Sequence, residues 1–185
     1  MFSSIRWRFI TIYFLLVFIA MSIVGVFIID RTETQQLNSV LINMERQVET
    51  IVESSSYIGS NDWDEYQEEI QQVLNEWRLG SKETLYVINN QDIPTIIAST
   101  SKQYSKLKGQ NALSSKYIDP LLVLEAFNGE KDYKEIEDLN EKTPYLHLSY
   151  PVINELGQIK GIIYMTSDLS MAYSTIKEFK IILTN

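Results

Sequence analysis

An uninterrupted apolar segment, residues 9–29, constrains this chain more than any other feature of its sequence. Its 21 residues (FITIYFLLVFIAMSIVGVFII) include no charged side chain. At ~1.5 Å rise per residue, a helix of this length extends ~31 Å, close to the ~30 Å hydrocarbon core of a bilayer. The segment therefore predicts a transmembrane helix, and the rest of the chain has to be placed relative to a membrane.

The flanking residues predict the orientation of this helix. Arg6 and Arg8 precede it with Trp7 between them, whereas Asp30 follows it. Short basic flanks stay in the cytoplasm, and tryptophan favours the membrane interface. We therefore expect residues 1–8 to be cytoplasmic and the chain after residue 29 to lie outside. A cleaved signal peptide is the alternative, but its apolar core usually has 7–15 residues and a small-residue cleavage site follows. This segment is longer and ends in bulky residues, which favours a retained anchor.

Charge narrows the choice of partners for the region beyond the apolar segment. That region carries all 24 acidic residues and 14 of the 16 basic ones, so its net charge is −10. Nucleic acids and anionic lipid headgroups both require basic surfaces, so neither is expected as a partner. The chain has no cysteine, which excludes disulfides and thiolate metal sites. About 150 residues suffice for one domain with its own core.

A heptad-like stripe predicts a long helix directly after the apolar segment. No glycine or proline interrupts residues 30–58, so this helix can continue out of the membrane. Its stripe favours a homodimer seam. The alternative is that the whole stripe packs on the domain's own sheet and second helix. The stripe consists of Leu37, Leu41, Met44, Val48, Ile51, Ser55 and Ile58.

The rest of the chain predicts an α+β domain in which long N-terminal helices pack on a five-stranded antiparallel sheet. Asp62 is expected to cap a second helix that ends at Gly80, and a short helix begins at Pro120. Asp168 is expected to cap a last helix that leads to the apolar residues near the end. Alternating patterns joined by short turns favour hairpins. The predicted strands are residues 84–89, 95–100, 131–136, 145–152 and 159–167.

Several motifs resemble a single Cache domain, the PAS-like extracytoplasmic sensor fold. They are Tyr150-Pro151-Val152, Gly157 in a turn, and Gly161-Ile162-Ile163-Tyr164 in the last strand. The first apolar segment and the tail GIIYMTSDLSMAYSTIKEFKIIL are similar to the sensor region of the WalK family of sensor histidine kinases of Gram-positive bacteria. The resemblance implies an extracytoplasmic domain over residues 30–178 and the start of a second transmembrane helix over residues 179–185.

The resemblance also implies a function. It identifies the chain as the signal-sensing region of a membrane-bound two-component kinase, which relays ligand or partner binding through its membrane-proximal helices. The sensor of a chemoreceptor or cyclase is an alternative, as is an interaction module that binds no small ligand and is controlled by a membrane protein. A histidine kinase needs a phosphoacceptor histidine on a helix and a glycine-rich nucleotide loop. The only histidine of this sequence, His147, lies in a strand pattern, and no such loop is present. The chain itself is therefore not expected to be an enzyme.

Candidate ligand-binding residues follow from strand alternation and from the pocket that the resemblance implies between the sheet and the short helix. Tyr145, His147 and Ser149 share one strand face, and Tyr86 and Tyr164 lie on neighbouring strands. We predict that these five residues bind a small molecule; the alternative is ordinary sheet packing. No cofactor is expected. No metal is expected either, because the acidic residues at positions 132, 135, 137 and 138 alternate between two faces.

Overall fold

The computed structural model describes residues 5–59, 62–80, 82–137, 143–154 and 156–174. The predicted second span, residues 179–185, and residues 1–4 of the predicted cytoplasmic segment lie outside the described residues. The helices are α1 (Ile5–Ser54), α2 (Ser56–Gly59), α3 (Gln67–Glu76), α4 (Tyr104–Leu107) and α5 (Pro120–Phe127). The strands are β1 (Glu83–Asn89), β2 (Ile96–Ser99), β3 (Asp132–Glu137), β4 (Pro144–Ile153) and β5 (Ile159–Asp168).

The five strands form one antiparallel sheet in the order β2-β1-β5-β4-β3. The last strand in the chain, β5, therefore lies at the centre, where it pairs with β1 and β4. The chain thus has the predicted α+β fold, in which a long N-terminal helix precedes a five-stranded PAS-like sheet. Because β5 is buried over most of its length, both faces of the sheet are covered by helices and loops.

Helix α1 is continuous from the apolar segment into the rest of the chain. Within the described residues, it is the one helix that is long and apolar enough to cross a membrane. Its bulky apolar side chains are exposed, as at Phe14 (74%) and Phe18 (63%). The chain divides into two compact units. Residues up to Asn38 and from Met171 onward form the first, and residues 39–170, which include the sheet, form the second.

The second half of α1 buries most of the predicted stripe in its own domain. Met44, Val48 and Ile51 are fully buried, and Ser55 and Ile58 continue the same row beyond the helix end. Polar contacts also hold this part of α1: Glu45 pairs with Lys131, and Gln47 Nε2 donates to Glu83. Intramolecular packing therefore accounts for the stripe from Met44 onward. Leu37 and Leu41 are only partly buried, and the dimer remains a prediction for that part of the helix.

The predicted second helix is shorter than expected at both ends. Asp62 does not cap it, because its Oδ1 accepts a hydrogen bond from the backbone N–H of Asp64 in a local turn. Helix α3 begins only at Gln67 and ends at Glu76, ten residues in all. Trp63 lies before the helix, where its indole N–H donates to the Ile58 carbonyl. The tryptophan ring occupies the space above Gly161 of β5, where a Cβ atom would collide with it.

The end of β2 leads through an irregular connection to α5. The predicted polar connection contains the short helix α4 and a 3-10 turn at Ala112–Ser114. Helix α5 begins as predicted, because the Asp119 carboxylate accepts from the Leu121 and Leu122 N–H groups and Pro120 occupies the first turn. Gly129 follows the helix with φ +90°, a conformation that favours glycine.

Candidate functional site

The structure brings the predicted site residues onto one face of the sheet. Tyr86 of β1 and Ser149 of β4 are both opposite Tyr164 of β5, and His147 lies two residues before Ser149. Directly opposed residues of antiparallel strands project to the same side. Tyr145 is on this side as well, at the start of β4. We call this side the α5 face, because α5 and the segment before it cover it.

Most of the α5 face is closed by apolar packing. The Tyr86 and Tyr164 rings meet edge to face with their centroids 6.4 Å apart. Around them lies a single core cluster in which every side chain is buried. Its other members are Ile88, Ile96, Leu107, Ala112, Ile118, Leu122, Val123, Ala126 and Ile162. Two of the open surface grooves that the described residues form lie elsewhere. One adjoins Gln91 and Ile93, the other adjoins Trp77 and Glu83, and neither includes a predicted site residue.

A chain of hydrogen bonds runs through the centre of this face. The backbone N–H of Asp119 donates to the hydroxyl oxygen of Tyr164 (2.8 Å), and that hydroxyl is 2.7 Å from Nδ1 of His147. Because the Tyr164 oxygen already accepts from Asp119, its own proton is available to Nδ1. This assignment makes His147 a neutral acceptor with its proton on Nε2. The Tyr164 hydroxyl thereby connects strand β4 to the residue that caps α5.

The two charged groups beside these hydrogen bonds, Asp119 and Lys134, form an ion pair. Lys134 Nζ of β3 is 3.0 Å from Asp119 Oδ2. Burial works to raise the pKa of Asp119, but hydrogen bonds from Lys134 and from the backbone of Leu121 and Leu122 outweigh it, and the pKa is lowered. Burial lowers the pKa of His147 to about 4, against a smaller opposing effect of Asp119. At neutral pH the face therefore presents a neutral imidazole.

Three hydroxyl groups of the predicted site are buried, and none has a charged partner within the described residues. Burial raises the pKa of both Tyr86 and Tyr164, so both phenols stay protonated. Ser149 is fully buried, and its Oγ has no hydrogen-bond partner among the described residues. A buried hydroxyl without a partner costs free energy, about 1–3 kcal/mol in mutational data. Ser149 therefore stands out as a group able to accept or donate one further hydrogen bond.

Asp119 and Lys134 belong to the same constellation but were not among the predicted site residues. The sequence identifies position 119 only as the residue before a helix-starting proline. Nothing in the spacing of Asp119, Lys134 and Tyr164 indicates that they meet, because Asp119 precedes α5 and the other two residues lie on β3 and β5. The pairing of Lys134 with His147 in the sheet register brings Lys134 to the α5 face.

Together, the five-stranded sheet and its helical cover define the PAS-like class of sensor fold, which solved structures of bacterial sensor domains share. The sensory domain of the Campylobacter jejuni chemoreceptor Tlp3 with isoleucine bound has a TM-score of 0.57 at 13% identity, over 80% of this chain and 59% of that one. The ligand-binding domain of the Pseudomonas aeruginosa PAO1 amino acid chemoreceptor PctC, in complex with GABA, gives 0.54 at 15% identity, over 77% and 58%. The periplasmic domain of RsbU from Chlamydia trachomatis gives 0.54 at 8% identity, over 88% and 58%.

One particular protein is similar along the whole chain. Sensor histidine kinase WalK of Bacillus subtilis (strain 168) is 22% identical over 187 aligned residues. The alignment covers 100% of this chain but only 30% of that protein. No family model matches the sequence. These likenesses show the fold of the chain.

Proposed function

We propose that this chain is the extracytoplasmic signal-sensing region of a membrane-bound two-component sensor histidine kinase. The observation that carries the proposal is the continuity of α1, which leads from a charge-free segment long enough to span a bilayer into a PAS-like sensor fold. The similarity to WalK along the full chain favours a kinase as the output. The chain itself carries no catalytic role in this proposal.

The proposed topology follows the charges that flank the apolar segment. Residues 1–8 lie in the cytoplasm, residues 9–29 cross the membrane, and residues 30–178 form the extracytoplasmic domain. Residues 179–185 begin a second transmembrane helix. The partners are the lipid bilayer, a second copy of the chain through the part of α1 around Leu37 and Leu41, and the signal itself. Nucleic acid is not among them.

We propose that signalling is a small displacement between the two membrane-proximal helix ends, near Asp30 and near Phe179. Asp168 ends β5, and residues 170–174, two positions further on, are helical. The Asp168 Oδ1 accepts a hydrogen bond from the Ser170 N–H at the start of this helical segment. A helix is stiff along its axis, so a shift of β5 moves the helix that follows it. A signal changes this equilibrium only by its different affinity for the two arrangements.

The signal is a small molecule at the α5 face or a membrane protein regulator. The buried polar residues Tyr86, His147, Ser149 and Tyr164, with Tyr145 at the start of β4, favour the small molecule. The apolar packing of the same face favours the alternative, in which a membrane protein controls the outer surface. A chemoreceptor or cyclase output remains the other alternative, because the fold is shared with chemoreceptor domains.

A chimera tests the kinase proposal. This chain replaces the corresponding region of B. subtilis WalK, and autophosphorylation is measured in membranes. We expect phosphorylation at a level that changes when two glycines are inserted after Ser174, because they interrupt the helix. The same insertion after Gly157, in the β4–β5 turn, is the control and leaves the level unchanged. A chimera whose phosphorylation is indifferent to both insertions contradicts transmission through this helix, and an inactive chimera contradicts the kinase output.

A further inference from the structure

Helix α5 is held differently at its two ends. At its first end, Asp119 donates its backbone N–H to the buried Tyr164 hydroxyl and pairs with Lys134 through its carboxylate. At its last turn, Glu125 faces Asp132 of β3, carboxyl to carboxyl. Desolvation and the neighbouring Asp132 raise the pKa of Glu125, so the pair repels when both groups are ionised.

The remaining contacts between α5 and the sheet are apolar. Leu122, Val123 and Ala126 are buried against the core cluster, whereas Leu121 and Leu124 are exposed at 60% and 48%. Apolar contacts are non-directional, so they favour burial without fixing the position of a short helix. The directional contact between α5 and the central strand is therefore the Asp119–Tyr164 hydrogen bond. Since Tyr164 is fully buried, water does not easily replace its hydroxyl.

We propose that the Tyr164 hydroxyl is a latch that holds α5 closed over the sheet, and that release of this hydroxyl from Asp119 lets the helix lift as a unit. The idea that the signal operates this latch rests on the proposed sensor function. The buried Ser149 Oγ, which has no hydrogen-bond partner in the part of the chain that the structure describes, lies on the strand next to Tyr164 under the same cover. A ligand that hydrogen-bonds to Ser149 and Tyr164 gains these bonds only in the lifted state, which is the differential affinity that a switch requires.

Hydrogen exchange on the full chain in detergent micelles tests the latch without any ligand. Tyr164→Phe removes the hydroxyl and keeps the ring. We expect exchange of the amides of residues 119–127 to rise by about fivefold or more, the range expected for loss of a buried hydrogen bond. Exchange in β1, β4 and β5 should rise by no more than the loss of global stability measured for the variant by urea unfolding, whereas exchange of residues 119–127 should keep a low urea dependence.

Tyr86→Phe is the matched control. Tyr86 is buried on the same face and touches Tyr164, but no hydrogen bond links its hydroxyl to α5 in the described residues. We expect this variant to leave exchange in residues 119–127 unchanged. Equal effects of the two substitutions on residues 119–127, or exchange of these residues with the same urea dependence as the strands in Tyr164→Phe, would mean that Tyr164 only packs and that the latch is wrong.

A measurement on the unmodified chain keeps the proposal testable if Tyr164→Phe does not fold. Native-state exchange in low urea should show residues 119–127 opening together, at lower urea dependence than the strands. Exchange of these amides only with the sheet, in global unfolding, overturns the latch. Neither measurement involves a kinase or a signal, so failure of the latch and failure of the proposed function are separate outcomes.

Discussion

Acidification should destabilise the sheet domain through His147 before it affects the aspartates. Burial lowers the pKa of His147 from 6.5 to about 4, so the unfolded chain binds a proton between these values that the folded chain does not. Stability therefore rises with pH across this window and is lost as the pH falls from 6.5 towards 4. This difference in the pKa of His147 between the unfolded and folded chain corresponds to ~3 kcal/mol of stability in full, of which ~2 kcal/mol is lost between pH 7 and pH 5.

The groups that face His147 titrate outside this interval. Asp119 has a lowered pKa, so its contribution is lost mainly below pH 4. The pKa of Asp168, at the end of β5, is lowered as well. Burial raises the pKa of the Tyr164 phenol, so this group stays protonated throughout the interval. Glu125 has the opposite effect on stability: its pKa is raised in the folded chain, so its protonation on acidification favours the folded state. Its effect is common to the original chain and to any variant at position 147.

Urea unfolding at pH 7 and pH 5, followed by tryptophan fluorescence, measures the effect. His147→Gln is the informative variant, because its side-chain oxygen can still accept from Tyr164 and it does not titrate. We expect the original chain to lose ~2 kcal/mol more than the variant over this interval. If the two proteins lose stability equally between pH 7 and pH 5, the buried neutral histidine is not the cause and the proton assignment at Tyr164 is wrong.

Two further predictions concern the other side of the sheet and α1. Gly161→Ala should destabilise the domain by about 2 kcal/mol or more in urea unfolding, because its methyl group meets the Trp63 ring and the Ile88 carbonyl. Gly59→Ala, whose Cβ meets only an ordinary contact, is the control, and equal stability of both variants would contradict the close approach of Trp63. Cysteines at Leu37 or Leu41 should form disulfide-linked dimers in membranes, whereas cysteine at the buried Val48 should not. Crosslinking at Val48 alone would place the seam elsewhere.

The sequence predicted the elements of this fold better than their ends, for a physical reason. Strand alternation is a repeated signal, and it placed all five strands to within a few residues. Helix boundaries depend on single side chains with competing partners. Asp62 bonds to the turn instead of the helix, and Trp63 is buried against Gly161, a contact across about a hundred residues that no local pattern encodes.

Only the strand residues of the candidate site were predictable, because the alternation of side chains along a strand determines which of them share a face. The shared face of Tyr86, His147, Ser149 and Tyr164 follows from the pleat once the strands pair in the right order. The contributions of Asp119 and Lys134 depend on where the loop after β2 returns to the sheet. A backbone N–H that donates to a tyrosine leaves no trace in composition or spacing, so the central hydrogen bond could be found only in the structure.

The closed packing of the α5 face is compatible with the proposed ligand site if opening has a cost that the ligand offsets. Breaking the Asp119–Tyr164 bond in a buried setting costs about 1–3 kcal/mol. If the ligand binds only the lifted state, its apparent affinity is the intrinsic affinity multiplied by the fraction of molecules in that state. A cost of this size lowers the apparent affinity about 5- to 150-fold. Ser149 reduces this penalty, since its unsatisfied hydroxyl gains a partner only when α5 lifts. Ser149→Ala should therefore stabilise the closed state and weaken the binding of any ligand beneath α5. The binding of a regulator to the outer surface should not change with this substitution.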